Sequence, residues 1–362
     1  MPPPLPRIAP PVAGPSRRTF TSTGTLDSHE NPLGLPRNNQ RIPPTMPRRG
    51  TGPPQPRRIP NVKQIVCVSS GKGGVGKSTI SANLAVALSL VHQSSSSSGK
   101  KPRVGLLDLD IFGPSVPKLM GLEGMGEPEL TSYGGLIPLK NHGVSCMSMG
   151  FLLGNNTQQD EERVVAWRGM MVMKATQQLL FHVDWRLNPH APTPSSPEEL
   201  DENSNAPLDV LVIDMPPGTG DVALSLAQLV KVDAAVVVTT PQQVALLDAK
   251  KGVNMFRKTS VPVAGLVLNM SHFVSPDTGK AFELFGKATA VEKYADKQGL
   301  EVLARIPLQP QLSEGGDQGI PATLRETLPT FESGAVEGEQ QLNHIRSAFF
   351  DLASKVWSRL GQ

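Results

Sequence analysis

Cysteine is nearly absent from this sequence of 362 residues, which contains only Cys67 and Cys146. Two cysteines cannot build a disulfide framework, so that class of small cross-linked fold is excluded. Cys67 lies inside the apolar segment 64–68, and Cys146 lies inside a second one, 144–147. Because a free thiol in an apolar strand behaves as a small hydrophobic side chain, we predict that both are buried structural thiols.

Long apolar runs are also missing. No segment approaches the roughly 20 consecutive apolar residues that a membrane-spanning helix needs. Hydrophobic residues nevertheless make up 38% of the chain, which is enough to form a sizeable core. The composition therefore predicts a globular protein of one large or two modest domains, with no transmembrane segment.

Acidic residues are scarce at the N-terminus. Residues 1–62 contain nine arginines, no lysine and only two acids, a net charge of +7, together with 16 of the 35 prolines. Such a segment cannot bury enough apolar surface to fold, so we predict a disordered extension over residues 1–62 and one folded domain over residues 63–362. The segment 17–23 is rich in arginine and hydroxyl groups, which is typical of an organelle transit peptide. An untargeted proline-rich tail is the alternative, because prolines weaken an amphipathic helix.

The rest of the chain has the opposite charge balance. It contains 26 basic and 30 acidic residues, a net charge of −4. Proteins that bind nucleic acids need clustered positive charge to neutralise phosphates. We therefore predict that the folded domain does not bind nucleic acid.

One glycine-rich stretch has the context of a phosphate-binding loop. It reads GKGGVGKST and lies between an apolar run at 64–68, which predicts a strand, and the helical spacing of residues 80–88. The glycines let successive N–H groups face phosphate oxygens, and the N-terminus of the following helix adds positive potential. In this interpretation Lys77 contacts the β- and γ-phosphates and the Ser78 hydroxyl binds Mg²⁺. The predicted nucleotide-binding residues of the loop are Gly71, Lys72, Gly73, Gly74, Val75, Gly76, Lys77, Ser78 and Thr79.

Three aspartates follow later apolar runs. Asp108 and Asp110 come after the run 103–107, and Asp214 ends the run 208–213. The carboxyl ends of parallel strands are where ligands bind in open α/β sheets. We predict that Asp214 and Asp108 serve Mg²⁺, Asp108 through a water, and that Asp110 orients the attacking water. Simple capping of a turn is the alternative for Asp108 and Asp110.

The alternation of strand and helix patterns from residue 65 onward predicts a doubly wound α/β fold with a mostly parallel sheet. A short hairpin is predicted with arms at 136–138 and 144–147, and a proline-rich insertion is predicted at 187–207. The methionines at 170, 171 and 173 are predicted to fill core space. An amphipathic helix at 342–360 is expected to pack on the domain, with a membrane-surface helix as the alternative.

A second lysine, Lys72, lies early in the loop, where the general pattern G-x-x-x-x-G-K-[ST] does not require one. This signature resembles the deviant Walker A loop of the MinD/ParA-type ATPases. The resemblance implies a P-loop ATPase fold and a homodimer in which Lys72 of one subunit reaches the ATP of the other. Lys72 and Asp110 are accordingly the predicted catalytic residues.

Seven motifs in order resemble the Mrp/nucleotide-binding-protein family of iron–sulfur carrier ATPases, over about residues 60–325. The resemblance implies a slowly hydrolysing, ATP- and Mg²⁺-binding protein that acts in iron–sulfur cluster assembly or transfer to apoproteins, with Asn269 as the candidate contact for adenine. The presequence-like N-terminus points to the branch that serves respiratory complex I in the mitochondrial matrix, with the cytoplasm as the alternative. The motifs are Gly71–Thr79, Leu107–Pro117, Met147–Phe151, Trp167–Gly169, Asp214–Asp221, Thr239–Gln242 and Asn269–Ser271.

The sequence departs from this family at the cluster-binding positions. The family holds a labile [4Fe–4S] cluster between subunits with a C-x-x-C pair from each, shortly after the Asn-Met-Ser motif. Ser275 and Thr278 occupy the matching positions here, and neither offers the soft thiolate that clusters prefer. Three accounts of this departure stay open: a carrier that uses other ligands or a partner, an ATP-switched assembly scaffold without a cluster, and an error in the sequence. A positioning ATPase of the MinD/ParA kind is a further alternative function.

Overall fold

A computed structural model describes residues 55–91, 101–152, 169–187, 206–275, 278, 280–325 and 337–360. Several predicted features lie outside these residues: the extension up to residue 54 with its transit-peptide-like segment, residues 167 and 168 of one family motif, and most of the insertion at 187–207. For these features the predictions stand as they were derived from the sequence.

The described residues contain ten strands. They are β1 Val62–Ser70, β2 Val104–Asp108, β3 Leu139–Asn141, β4 Val144–Ser148, β5 Leu208–Asp214, β6 Ala234–Thr239, β7 Val263–Leu268, β8 Phe273–Val274, β9 Ala281–Phe282 and β10 Val302–Arg305. Eight of them form one sheet in the order β10-β7-β6-β1-β5-β2-β4-β3. All neighbours in this sheet are parallel except β3 and β4. Strands β8 and β9 form a separate antiparallel ribbon.

Helices connect the parallel strands. They are α1 Lys77–Leu90, α2 Val116–Leu119, α3 Gly169–Phe181, α4 Asp221–Leu229, α5 Gln243–Lys258, α6 Thr289–Gln298, α7 Pro310–Asp317 and α8 Glu337–Leu360, with 3₁₀ turns at Met149–Phe151 and Ala322–Leu324. The predicted doubly wound, mostly parallel α/β fold is therefore confirmed. On one side of β1 the strands follow in sequence as β6, β7 and β10, whereas on the other side β5 lies between β1 and β2. In open α/β sheets, ligands bind at the carboxyl ends of the strands where the strand order changes direction.

The core follows the apolar runs of the sequence. Every residue from Ile65 to Ser70 in β1 is buried, as expected for a parallel strand covered on both faces. Cys67 and Cys146 are fully buried in β1 and β4, which confirms the prediction of structural thiols. Burial raises the pKa of both thiols far above its usual range, so neither side chain is a ready thiolate.

The first arm of the predicted hairpin is displaced. It runs over Leu139–Asn141 rather than 136–138, and it pairs with β4 as expected. Pro138 has no N–H to donate to a ladder, so regular pairing begins only after it. Leu136 instead makes isolated bridges with Leu130 and Val183.

Two further predictions from composition were wrong in part. The folded domain begins before residue 63, because Ile59 is buried, Arg57 bridges Val230, and β1 starts at Val62. Of the three methionines predicted to fill core space, Met170 and Met171 are 88% and 39% exposed, and Met173 is half-buried. On α3 the buried positions recur three or four residues apart, at residues 172, 175, 176, 179 and 180, which turns Met170 towards solvent.

The C-terminal helix packs on the domain as predicted. Its apolar stripe is buried, and α8 lies against α1 and β10. The completely buried members of the stripe are Ile345, Phe349, Leu352, Ala353 and Val356. Among the described residues, no helix is both long and apolar enough to cross a membrane.

We expect Phe349→Ala to lower the free energy of unfolding by about 3–5 kcal/mol, because a fully buried aromatic side chain would be replaced by a cavity. Urea denaturation followed by circular dichroism measures this change. Asp351→Ala, an exposed change on the same helix, is the matched control and should stay within about 0.5 kcal/mol of the wild type. Equal effects of the two changes would contradict the packing of α8 on the domain.

Candidate nucleotide-binding site

The loop between β1 and α1 is held in a conformation that requires glycine. Gly74 and Gly76 have φ angles of 77° and 83°, in the left-handed region that other residues avoid. A Cβ atom on Gly76 would lie 2.2 Å from Nδ2 of Asn269. That amide donates a hydrogen bond of 2.8 Å to the carbonyl oxygen of Val75, so the residue after β7 supports the loop directly.

A buried ion pair lies under the loop. The ammonium of Lys77 is 2.8 Å from Oδ1 of Asp214 and 4.0 Å from Oδ2 of Asp110. The hydroxyl of Ser81, one helical turn after Lys77, donates to the same Oδ1 of Asp214 at 2.8 Å. Sequence reasoning missed Ser81, although its spacing of four residues from Lys77 places both on one face of α1.

One carboxylate oxygen in this cluster is left for a ligand. Within the part of the chain that the structure describes, Oδ2 of Asp214 is buried and has no hydrogen-bond partner. Ser78 lines the neighbouring cavity, and its Oγ accepts a hydrogen bond of 3.2 Å from Lys77. A buried carboxylate oxygen and a hydroxyl are hard donors of the kind that Mg²⁺ prefers, so the predicted pair Ser78 and Asp214 fits that ion.

Asp108 lies beside Asp214 because β2 and β5 pair in register at these two residues. Burial and the charge of Asp214 raise the pKa of Asp108 to about 7. Both of its oxygens already accept protein hydrogen bonds: Oδ1 from the Asp110 N–H, and Oδ2 from the Val116 N–H and the Ser148 hydroxyl. This geometry makes Asp108 the anchor of the loop that carries Asp110, while its contact with a metal-bound water stays a prediction.

A cavity of about 540 Å³ brings many of the predicted residues together. Lys72, Gly73, Gly74, Gly76, Lys77, Ser78, Thr79 and Asp110 line it, together with residues of α2 and α7. Burial raises the pKa of Asp110 at this wall. Lys72 is half-buried, and its ammonium donates to Oε1 of Gln242 in an exposed hydrogen bond of 3.1 Å.

Three predicted nucleotide contacts lie elsewhere. Val75 and Asn269 are buried beneath the loop. Gly71 packs against α5, where a Cβ atom would lie 2.1 Å from the backbone carbon of Asp248. These residues shape the loop, and their contact with nucleotide remains a prediction.

Comparison with known proteins places this site in a family. Residues 61–188 and 200–337 match the family described as the NUBPL iron-transfer P-loop NTPase. The chain belongs to this family. It is 43% identical over 309 residues to the iron–sulfur cluster transfer protein NUBPL of Mus musculus, an alignment that covers 85% of this chain and 81% of the mouse protein.

A plant relative and one solved structure extend the comparison. The iron–sulfur protein required for NADH dehydrogenase, mitochondrial, of Arabidopsis thaliana is 41% identical over 267 residues, covering 74% of each chain. A nucleotide-binding protein from Archaeoglobus fulgidus, solved in complex with ADP, is 32% identical with a TM-score of 0.56 and covers 77% of this chain and 96% of that one. This family member is therefore similar to a protein that binds a nucleotide.

The positions expected to hold the family's cluster ligands lie at the β8–β9 ribbon. The Ser275 N–H donates to the Lys280 carbonyl at 3.0 Å across the ribbon, and Thr278 is exposed in the connecting turn. In the described residues no three His, Cys, Asp or Glu side chains are grouped to hold a metal. Since Cys67 and Cys146 are buried in the main sheet, this ribbon carries no thiol.

We expect Gly76→Ala to lower the free energy of unfolding by about 1–3 kcal/mol, because alanine is strained at this φ and its Cβ would displace Asn269. Chemical denaturation without nucleotide measures the change. Gly113→Ala is the control, since Gly113 has a negative φ and open space around its Cβ position. A Gly76 variant as stable as the control would contradict the tight packing of the loop on Asn269.

Proposed function

We propose that this chain is an ATP- and Mg²⁺-binding P-loop ATPase that acts in mitochondrial iron–sulfur cluster assembly or transfer to apoproteins, with respiratory complex I as its client. The observation that carries the nucleotide part is the pair Lys77 and Asp214 beneath the loop, with one carboxylate oxygen of Asp214 left for a ligand. The cluster-transfer part rests on the similarity to the mouse iron–sulfur cluster transfer protein, and the client part on the similarity to the Arabidopsis protein required for NADH dehydrogenase.

Each residue of the site has a proposed role. The loop amides and Lys77 bind the phosphate chain, and Ser78 and Asp214 hold Mg²⁺, which neutralises charge on the phosphate oxygens. Asp110 lines the cavity within 4.0 Å of Lys77, where it can orient a water. Asn269 is proposed for adenine, since its Oδ1 is buried and has no partner in the described part of the chain.

We further propose a homodimer with slow, switch-like turnover. Lys72 lines the cavity, and its hydrogen bond to Gln242 is exposed, so the ammonium can exchange this partner for the nucleotide of a second subunit. Pro217 lines the cavity, and the Gly218 N–H donates to the Ser70 carbonyl at 2.8 Å. The loop after Asp214 is thus placed to respond to the γ-phosphate, as switch loops do in other nucleotide hydrolases.

A second candidate function is an ATP-switched assembly scaffold that carries no cluster. Ser275 and Thr278 favour it, because they stand where thiolate ligands are expected. The two cysteines favour it as well, since both are completely buried and burial raises the pKa of each thiol. In this alternative the nucleotide site and the dimer keep their roles, and only the cargo differs.

We expect Lys77→Ala to weaken binding of Mg²⁺-ATP by about 100-fold or more, because the change removes a phosphate ligand and leaves Asp214 buried without its cation. Isothermal titration calorimetry measures binding, and a phosphate-release assay measures turnover. Lys72→Ala is the comparison: it should keep ATP binding and lose hydrolysis. Unchanged ATP binding in the Lys77 variant would remove the basis of the proposed function.

A [4Fe–4S] cluster shared between two subunits would give about four iron atoms per dimer. After anaerobic reconstitution with iron and sulfide, we expect the wild-type chain to bind far less iron than this, because it offers no accessible thiolate. The double variant Ser275→Cys/Thr278→Cys should gain iron and the visible absorption of a cluster. A wild-type cluster that transfers to an acceptor apoprotein would reject the scaffold and show that other ligands suffice.

A further inference from the structure

We propose that Lys118 is a second phosphate-binding lysine of the nucleotide site, beside Lys77, and that it is shared between the nucleotide and the carboxylate of Asp317. This inference rests on the proposed function and names a binding residue that the loop motif does not contain. Of the described residues that line the cavity, three are lysines: Lys72, Lys77 and Lys118. The first two belong to the loop, whereas Lys118 comes from α2.

The partner of Lys118 is an exchangeable one. Its ammonium lies 3.2 Å from Oδ1 of Asp317, and the two side chains are 51% and 69% exposed. Ion pairs this exposed contribute little to stability, so Lys118 can leave Asp317 at small cost. A nucleotide phosphate chain offers several charged oxygens, and charge-assisted hydrogen bonds to phosphate are strong. Phosphate bound in the cavity therefore competes with Asp317 for this ammonium.

Backbone contacts hold α2 beside the cavity. At its start, the Val116 N–H donates to Oδ2 of Asp108, the buried carboxylate next to the metal position. Just after its end, Nδ2 of Asn141 donates to the Met120 carbonyl at 2.7 Å. Lys118 thus stands on a short helix that is fixed at both ends, unlike a lysine on a free surface loop.

The position of α7 relative to α2 is fixed as well. A Cβ atom on Gly319 would lie 2.3 Å from the Cα of Gly121, so the two backbones touch where each helix has just ended. Nε2 of His142 lies 2.8 Å from the Gly319 carbonyl oxygen and ties the β3–β4 turn to the same point. The fold therefore brings Lys118 and Asp317 together at one wall of the cavity.

This arrangement predicts opposite effects for the two members of the pair. Removing the Lys118 charge takes away an attraction to phosphate. Removing the Asp317 charge takes away both a repulsion of phosphate and a competitor for Lys118. If the pair were a purely structural surface contact, both substitutions would remove the same contact and would change the affinity for ATP slightly and in the same direction.

The test is calorimetric titration of the full chain with Mg²⁺-ATP at low and high salt. We expect Lys118→Ala to weaken binding about 5- to 20-fold, in line with one hydrogen bond to a charged group, and Asp317→Asn to tighten it about 2- to 5-fold. Lys118→Arg should stay within about threefold of the wild type, since the charge is kept. All effects should shrink as salt screens the partly exposed charges.

Lys63→Ala is the matched control. Lys63 is also an exposed lysine paired with an aspartate, at 2.8 Å from Oδ1 of Asp209, but it lies near the start of β1 and does not line the cavity. Its variant should bind ATP as the wild type does. Thermal denaturation without nucleotide should give similar midpoints for the Lys63 and Lys118 variants.

The outcomes separate this inference from the proposed function. If Lys77→Ala abolishes ATP binding while Lys118→Ala binds like the wild type, the role of Lys118 is overturned and the proposed function stands. If Asp317→Asn weakens binding, the sharing of Lys118 is overturned. If the wild type does not bind ATP, the proposed function and this inference fail together.

Discussion

The buried ion pair between Lys77 and Asp214 is the constraint on which the rest of the site depends. Removing two charges from water is costly, and such a pair is tolerated only when further hydrogen bonds complete it. Here the Ser78 and Ser81 hydroxyls supply them. Asp214, the last residue of β5, pairs in register with Val68, and β1 continues for two more residues to Ser70 before the loop that leads to Lys77. The pairing of β5 with β1 thus sets Asp214 within 2.8 Å of the lysine at the start of α1. The order of the central strands therefore determines which side chains meet beneath the loop.

The loop is shaped from outside as much as by its own glycines. At its first residue, Gly71 touches the backbone of Asp248 on α5, and at its last, Gly76 touches the amide of Asn269 after β7. Neither position has space for a Cβ atom. A glycine-rich segment has a large conformational entropy to lose, and contacts at both ends restrict it before any ligand binds. This preorganisation explains why Gly71 and Gly76 are needed apart from any contact that their amides make with phosphate.

Local patterns in the sequence predicted the fold and the phosphate-binding loop. They could not predict contacts between residues that are distant in the sequence. Apolar runs predicted the central strands because a parallel sheet buries both faces of each strand. Ser148 was missed, since its bond to Asp108 depends on the pairing of β2 with β4. The burial of Ile59 was missed for the same reason, because Arg57 pairs with Val230 and no property of the N-terminal segment itself predicts that partner. Composition predicts whether a segment can fold by itself, whereas the register of strand pairing determines which residues it contacts.

Backbone hydrogen bonds connect the nucleotide site with the β8–β9 ribbon, and this connection does not depend on the side chains at positions 275 and 278. The Ser271 N–H donates to the Ile306 carbonyl, and the Leu308 N–H donates to the His272 carbonyl at 2.7 Å, so the start of the ribbon pairs with the segment that leads into α7. At its other end, α7 carries Asp317 to the wall of the cavity. A displacement of α7 would therefore reach the ribbon through peptide hydrogen bonds and not through a thiolate. Ser275 and Thr278, at the positions where the family resemblance predicts thiolate ligands, offer no thiolate and leave this backbone connection whole. The proposed ATP-switched scaffold therefore keeps a path between the cavity and the ribbon.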